Sequence, residues 1–307
     1  MCKTLLYFKI FFRIILNVTF TFVEELRIMQ TNIEIRTLEN VDLVELADLY
    51  NLSYQNYYVP INLTFEQFQK KLIMEDIDLT LSIGAIIEGK LVAFLLYGVR
   101  YLNETKTAYI GGTGVQPEYR GNKITQQMLD FSFPRLQELD VKEIYLDVNT
   151  KNEFATNAYE ACGFVKTRVL KSYKGIPILV VNPLHEIIEF DNLDLITTEN
   201  FWDIQPTWKN DIQSVKNILN DCQVNGIFEG QKLVAYKIIN KKNTRIYQFG
   251  VHHEYRNRYL ASILFSDLKN QKIRMINVDE REVSTNDFIE SLGLELYDKQ
   301  YEMKKEF

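Results

Sequence analysis

The stretch that most constrains the fold is residues 111–125, GGTGVQPEYRGNKIT, because its residue types change from strand to loop to helix. The segment Ile110–Val115 is typical of a strand with room for a ligand, since glycine permits a close backbone approach. Pro117 lacks an amide donor and ends that strand. The apolar spacing from Ile124 onward is helical. Free amides at the start of such a helix, with basic side chains beside them, suit a phosphate group.

The pattern Val-x-Pro-x-Tyr-Arg-Gly-x-x-Ile before a helix resembles the acetyl-CoA signature of the GNAT-type N-acetyltransferases. A second block agrees with that family in residue types and order: Leu146-Asp147-Val148, Asn152, Asn157-Ala158-Tyr159-Glu160 and Gly163-Phe164. Two ordered blocks about forty residues apart are more specific than one loop, which also occurs as a generic strand–helix turn in other α/β proteins.

The second half of the chain repeats the first half in a weaker form. Residues 229–236 repeat 88–94 with one inserted residue, and residues 251–256 repeat 115–120. We therefore expect an α/β protein of two tandem GNAT-like domains. The resemblance implies that each domain is a mixed, mostly antiparallel sheet flanked by helices.

A length of 307 residues fits two domains, and Asn182-Pro183 marks a boundary between them. The predicted parts are an apolar leader (1–28), a catalytic domain (29–182), a linker (183–190) and a degenerate domain (191–307). We expect Phe164–Ser172 and Ile176–Val181 to be the strands that close the first sheet. An early helix is expected at about Asn40–Asn51, with Asn40 as its cap.

The apolar run Leu5–Val23 is nearly long enough to span a bilayer, which needs about 20 apolar residues. Lys9 and Arg13 interrupt it, and no small-residue cleavage site follows. A start of translation at Met29 is the interpretation that we favour, because alternate residues from there on are apolar, as in the first strand of a cytosolic domain. A membrane anchor stays open.

Composition excludes several classes of function. The net charge of −6 argues against nucleic acid as a main partner. Cys2, Cys162 and Cys222 have no paired or metal-like spacing, which favours a reducing cytoplasm. The adjacent His252 and His253 lie at a strand end, where their side chains point to opposite faces, so no metal is expected.

The resemblance assigns one set of residues to acetyl-CoA, the co-substrate. These are Val115, Arg120, Gly121, Asn122, Lys123, Ile124, Thr125 and Asn152. Val115 takes the place of the amide that binds the thioester carbonyl, and Asn152 that of the residue that bonds the pantetheine arm. The family usually has glycine at position 123 and glycine or alanine at position 125. Lys123 and Thr125 depart from this pattern, but a larger side chain can point outward while its amide binds.

The resemblance also assigns the chemistry. Tyr159 matches the general acid that protonates the departing CoA sulfur, and a buried structural aromatic is the alternative. Asp147 stands twelve residues earlier, the spacing of the glutamate base in ribosomal-protein alanine acetyltransferases. Aspartate is one methylene shorter, so a bridging water is expected. A structural hydrogen-bond acceptor at a strand end is the equal alternative for Asp147.

The acceptor is predicted only as a class, a primary amine of a small molecule or a peptide N-terminus. In the resembled family the first two helices cover the acceptor side, which places Tyr57 and Tyr58 near the substrate. Packing between helices and sheet is the alternative for each tyrosine. A non-catalytic acyl-CoA-binding or sensing protein is the alternative function.

The second copy is predicted to be non-catalytic. Alignment of the repeats places Ile289, Asn277 and Glu282 at the positions of Tyr159, Asp147 and Asn152. The loop at 256–260 has also lost its glycine. Arg256 and Arg258 form either an anion site or a solvated surface pair. Whether this half covers the first active site or forms a homodimer stays open.

Overall fold

The computed structural model describes residues 33–178 and 185–307, and all its strands there belong to one twelve-stranded sheet. The strands are β1 (Glu34–Thr37), β2 (Ile83–Ile87), β3 (Lys90–Leu102), β4 (Thr105–Val115), β5 (Glu143–Asn149), β6 (Val165–Gly175), β7 (Ile188–Glu189), β8 (Cys222–Glu229), β9 (Lys232–Asn240), β10 (Arg245–Val251), β11 (Ile273–Asp279) and β12 (Glu295–Glu306). Their order across the sheet is β1-β2-β3-β4-β5-β12-β6-β11-β10-β9-β8-β7.

The helices of the described chain lie on both faces of this sheet. They are α1 (Leu43–Tyr54), α2 (Phe65–Met74), α3 (Ile124–Glu138), α4 (Glu153–Ala161), α5 (Thr198–Phe201), α6 (Ile212–Asn217), α7 (Leu260–Leu264) and α8 (Val283–Ser291). In the first half, α1 and α2 pack in one apolar cluster, and α3 and α4 pack in a second cluster on the opposite face. The mixed, mostly antiparallel sheet flanked by helices confirms the predicted fold class.

The first helix differs from its prediction in position. It begins at Leu43 rather than near Asn40, because the Asp42 side chain accepts the hydrogen bond from the amide of Val44 and caps the helix. Asn and Asp are about equally good caps, so local propensity does not choose between them.

The predicted closure of the first sheet is wrong. The last strand of the whole chain, β12, lies between β5 and β6 and pairs antiparallel with both. The predicted strand Ile176–Val181 is also wrong in its described part, since residues 176–178 are not in a strand. Residues 179–181 lie outside the described residues. The two halves have therefore exchanged their final strands: β12 completes the first half, and β6 pairs with β11 in the second.

This exchange has an internal two-fold symmetry. Gly163 and Gly293 are equivalent in the repeat and stand 130 positions apart, as do Leu170 and Gln300. Leu170 and Gln300 are also direct partners in the β6–β12 ladder, so each strand meets its own copy around this pair. Self-complementary pairing of this kind is what a two-fold interface requires. The halves are continuous through one sheet, and the boundaries at 182 and 190 stay predictions.

No helix within residues 33–178 and 185–307 has the length and hydrophobicity needed to cross a membrane. The predicted leader, including Leu5–Val23, lies outside the described residues.

The strand exchange predicts that β12 stabilises the first half. Met303 on β12 is fully buried in the cluster that contains α3 and α4. We expect Met303→Ala to lower the free energy of unfolding by about 2–5 kcal/mol, as for other large-to-small changes in a core. Leu296→Ala, on the same strand but 44% exposed, is the control and should cost about 0.5 kcal/mol or less. Urea denaturation measures both, and equal losses would contradict the prediction.

Candidate active site

A cleft opens where β4 and β5 part. The parallel ladder pairs Thr107–Ile110 with Glu143–Leu146 and then ends, although both strands continue. The register of β4 against β3 shifts at the same level, between the partners of Leu96 and Tyr97. Gly111 lies at this bulge, and a β-carbon there would meet Glu75 Oε2 at 2.5 Å. Glycine is therefore required by close packing from the α2 side.

Two tyrosines, one at the end of α1 and one just after it, line this cleft. The Tyr54 hydroxyl donates to the carbonyl of Thr113 on β4 at 3.0 Å. The Tyr57 hydroxyl accepts from the amide of Asn149 on β5 and from Asn152 Nδ2, both at 3.4 Å. Tyr57 thus joins the end of β5 to the start of α4.

Tyr58, the second residue predicted on the acceptor side, is half exposed and packs its ring edge on Tyr57 at 5.4 Å between centroids. Both predicted tyrosines therefore lie at the mouth of the cleft. Their contact with an acceptor stays a prediction.

Tyr159 approaches the cleft from the other face of the sheet. Its ring is buried against Phe164, with centroids 5.7 Å apart. Burial raises the pKa of Tyr159 to about 12, an effect that the neighbouring Thr113 side chain partly offsets. Thr113 Oγ1 is itself buried and has no hydrogen-bond partner among the described residues. The Tyr159 phenol and the Thr113 hydroxyl therefore lie side by side next to β4.

The loop before α3 explains how the chain departs from the glycine pattern. Gly121 has φ 84°, and Lys123 adopts the left-handed conformation with φ 54° immediately before the helix. A lysine thus takes the backbone conformation that favours glycine, and its side chain is exposed. Ile124 is buried in the core and anchors the first turn, whereas Thr125 is half buried.

The side chains of Arg120 and Asn122 are used within the loop itself. Arg120 Nε donates to the carbonyl of Val115 at 3.1 Å, and its Nη2 donates to that of Ser53 at 3.0 Å. Asn122 Nδ2 donates to the carbonyl of Tyr119 at 3.0 Å. These bonds hold the loop against β4 and α1. Asn152 likewise caps α4, because its Oδ1 accepts from the amide of Ala155 at 3.2 Å.

Asp147 lies on the opposite face of β5 from Tyr159. Its neighbours Leu146 and Val148 belong to the cluster that contains Tyr159, and successive side chains on a strand alternate. Asp147 Oδ2 accepts from the Tyr109 hydroxyl at 2.8 Å. The structure therefore does not bring the two predicted catalytic residues together by a hydrogen bond.

Asp147 has two further donors, both from the second half. Lys209 Nζ lies 3.1 Å from its Oδ2, and Asn277 Nδ2 donates to the same atom at 2.7 Å. Asn277 is the repeat equivalent of Asp147, so the two copies of this position bond to each other. A carboxylate oxygen that meets three donors has the geometry of a structural acceptor. The role of Asp147 as a base stays a prediction.

Sequence reasoning missed the segment that holds Asp147. Trp208 stacks on Tyr109 with centroids 5.2 Å apart, and Arg100 lies 3.8 Å over the Trp208 ring. Although burial lowers the pKa of Lys209, the Asp147 and Glu75 carboxylates hold it above its ordinary value. This segment contains no motif or periodicity, so only its contacts identify it.

The second half contains the equivalent cleft. The β10–β11 ladder pairs only Arg245 with Arg274 and Ile246 with Met275, and a cavity of about 600 Å³ follows. Glu282 lines this cavity, whereas Ile289 is buried in the core. The absence of catalysis in this copy stays a prediction.

The two arginines of the second loop differ from each other. Arg256 repeats the bonds of Arg120, since its Nε and Nη2 donate to the carbonyls of Val251 and Phe201 at 3.3 Å. Its Nη1 also lies 2.7 Å from Asp203. Arg256 is therefore part of the loop framework rather than of a solvated pair, while Arg258 is exposed. Within residues 33–178 and 185–307 no three His, Cys, Asp or Glu side chains are grouped to hold a metal.

Comparison with known proteins supports a GNAT fold. Residues 43–164 match the family model described as acetyltransferase (GNAT) family. N-alpha-acetyltransferase 30 of Saccharomyces cerevisiae is 30% identical over 81 residues, which are 25% of this chain and 46% of that protein. The chain thus spans about half the length of the curated relative that it matches.

Two solved structures are similar over both halves. A tandem GNAT protein from the clavulanic acid biosynthesis pathway has a TM-score of 0.67 and 13% identity, over 90% of this chain and 98% of that one. A GCN5-related N-acetyltransferase from Sphaerobacter thermophilus has a TM-score of 0.66 and 13% identity, over 89% and 95%. Residues 43–164 therefore form a GNAT-family acetyltransferase domain, within a chain that has the tandem GNAT fold.

The contacts of Asp147 predict a strong coupling between the halves. Asp147→Asn or Lys209→Met alone leaves one buried charge without its partner, so each should lower the free energy of unfolding by about 3–5 kcal/mol. The double variant Asp147→Asn/Lys209→Met should lose clearly less than the sum of the two. Urea denaturation of all four proteins gives this cycle. Strictly additive losses would show that the pair contributes nothing.

Proposed function

We propose that the protein transfers an acetyl group from acetyl-CoA to a primary amine of a small molecule or peptide by direct attack. The observation that carries this proposal is the position of the Tyr159 phenol, which lies beside Thr113 where β4 and β5 have parted. The yeast relative is named as an N-alpha-acetyltransferase, which favours an N-terminal amine among the acceptors.

The donor would bind along β4 and at the loop before α3. The helix of fifteen residues offers free amides at its start, and Lys123 is exposed beside them. Arg120 uses two of its five N–H donors on the carbonyls of the loop framework, and it remains a candidate to add positive charge at the phosphates. Val115 is the candidate amide for the thioester carbonyl.

The reaction needs a neutral amine as the attacking group and a proton for the departing sulfur. A neutral amine attacks the thioester carbon, the C–S bond breaks, and the sulfur receives a proton. Tyr159 is the candidate donor of that proton, because a phenol carries its proton at neutral pH and lies beside β4. Tyr57 and Tyr58 are the candidate acceptor contacts at the mouth of the cleft.

A non-catalytic acyl-CoA-binding or sensing protein is the second candidate. The observation that favours it is the cavity of about 600 Å³ in the half without an equivalent of Tyr159. The first proposal also includes a cytoplasmic location, from the cysteine pattern, and no bound metal, from the histidine pattern. A homodimer remains open.

The proposed acid predicts a specific loss of turnover. Tyr159→Phe removes the proton donor and should lower kcat by about 100-fold or more, with acetyl-CoA affinity little changed. Tyr97→Phe is the control, because Tyr97 is also buried in the same cluster but its hydroxyl bonds Ser132. Release of CoA from acetyl-CoA, with a panel of amines and peptides, measures both. Equal rates for wild type and Tyr159→Phe would rule out the acid role.

The proposed phosphate loop predicts a matched pair of glycine variants. Gly121 (φ 84°) and Gly89 (φ 78°) both have open space where a β-carbon would stand, so alanine causes only backbone strain at either site. Gly121→Ala should weaken acetyl-CoA binding about tenfold, which corresponds to about 1.4 kcal/mol. Gly89→Ala, in the β2–β3 turn, should leave it unchanged. Isothermal titration calorimetry measures both, and equal affinities would place the ligand elsewhere.

A further inference from the structure

The exchanged strand β12 carries a carboxylate to the first cleft. Asn149 Nδ2, at the end of β5, donates to Asp298 Oδ1 at 2.5 Å. The backbones of the two segments are also joined next to this contact, because the amide of Thr150 donates to the carbonyl of Lys299 at 3.0 Å. Asp298 belongs to the second half by sequence, but its side chain bonds to the first.

Asp298 is connected by hydrogen bonds to the mouth of the cleft. The amide of Asn149 donates to the Tyr57 hydroxyl, which also accepts from Asn152. The ladder places Gln300 opposite Asn149, so the side chains of Gln300 and Asp298, two positions apart, share the face that Asn149 and Tyr57 occupy. This is also the face of α1 and α2.

The charge of Asp298 is not paired with a cation in direct contact, although Lys151 and Lys209 lie near enough to favour its ionised form. The neighbouring carboxylates on this face are paired, Asp147 with Lys209 at 3.1 Å and Glu302 with Arg168 at 2.7 Å. Asp298 has no ion pair within 4.0 Å among residues 33–178 and 185–307, and its side chain is half buried. Its partners are an amide group and a backbone N–H.

The protonation behaviour of Asp298 agrees with this environment. Burial raises the pKa of Asp298, although the amide of Lys299 and the Asn149 side chain act in the opposite direction. Proton uptake by a carboxylate becomes easier as its pKa rises. Asp147, on the same face, differs in that it is bonded to three side-chain donors.

We propose that Asp298 binds the ammonium group of the acceptor and takes its proton, so that the second half of the chain completes the active site of the first. This inference rests on the proposed acetyl transfer. It also gives the strand exchange a function, because without β12 the first cleft has no unpaired carboxylate at this position.

The proton and electron balance is complete with the residues named. Asp298 takes one proton from the ammonium, which leaves a neutral amine. The amine lone pair forms the C–N bond, and the C–S bond breaks with its electron pair left on sulfur. Tyr159 gives its proton to the thiolate, and the second amine proton returns to the Tyr159 phenolate. The Asp298 proton then leaves to solvent, which yields amide, CoA thiol and one proton.

The test compares Asp298→Asn with Glu295→Gln, an exposed carboxylate at the start of the same strand. The full-length proteins are assayed with acetyl-CoA and with spermidine, 2-phenylethylamine and a tetrapeptide with a free N-terminus. We expect Asp298→Asn to lower kcat/KM about 100-fold and to remove the acid limb of its pH profile. Acetyl-CoA affinity should be unchanged, and Asp298→Glu should recover part of the loss. Glu295→Gln should equal wild type.

The outcomes separate this inference from the proposed function. Equal kcat/KM for Asp298→Asn and Glu295→Gln overturns the role of Asp298, even if Tyr159→Phe is slow. If the wild type turns over no amine, the proposed transfer fails, and equilibrium binding of the same three amines by NMR decides the role of Asp298. Binding that Asp298→Asn loses supports the role. Binding that it keeps, or no binding to wild type, overturns it.

Discussion

The parting of β4 from β5 is the constraint on which the rest of the structure depends. A sheet that opens in its middle exposes backbone groups, and these need partners other than the adjacent strand. Tyr54 supplies one from α1, by bonding the carbonyl and amide of Thr113, and Tyr57 supplies another at Asn149. The cleft is therefore framed by side chains from elements that lie far apart in sequence.

The junction of the halves is built from buried charge rather than from a purely apolar contact. Asp147, Lys209 and Asn277 meet where the two copies of one position face each other. A buried ion pair costs desolvation energy and is tolerated only when each member keeps its partners. The second half thus supplies hydrogen-bond donors to a buried carboxylate of the first half. The two halves also depend on each other for their last strands.

Local features of the fold follow the sequence closely. Thr64 and Gln67, three residues apart, form reciprocal capping bonds at the start of α2, and Gly163 follows α4 with φ 88°. Residues 120–123 form the loop before α3, and Ile124 and Thr125 are in its first turn, as their order implies. The start of α1 could not be predicted in this way, because Asn40 and Asp42 have similar N-capping propensities and the local sequence cannot rank them.

The sequence by itself determined the strand, loop and helix elements, the repeat and the acetyltransferase family, because these depend on residues close together in the chain. Tertiary structure alone decided which strand lies beside β5, what holds Asp147, and that Asp298 bonds Asn149 of the first half. An exchanged strand has the same local pattern as one that returns to its own half. The choice between them depends on pairing between residues more than a hundred positions apart, such as Asn149 and Gln300. No local pattern contains that information.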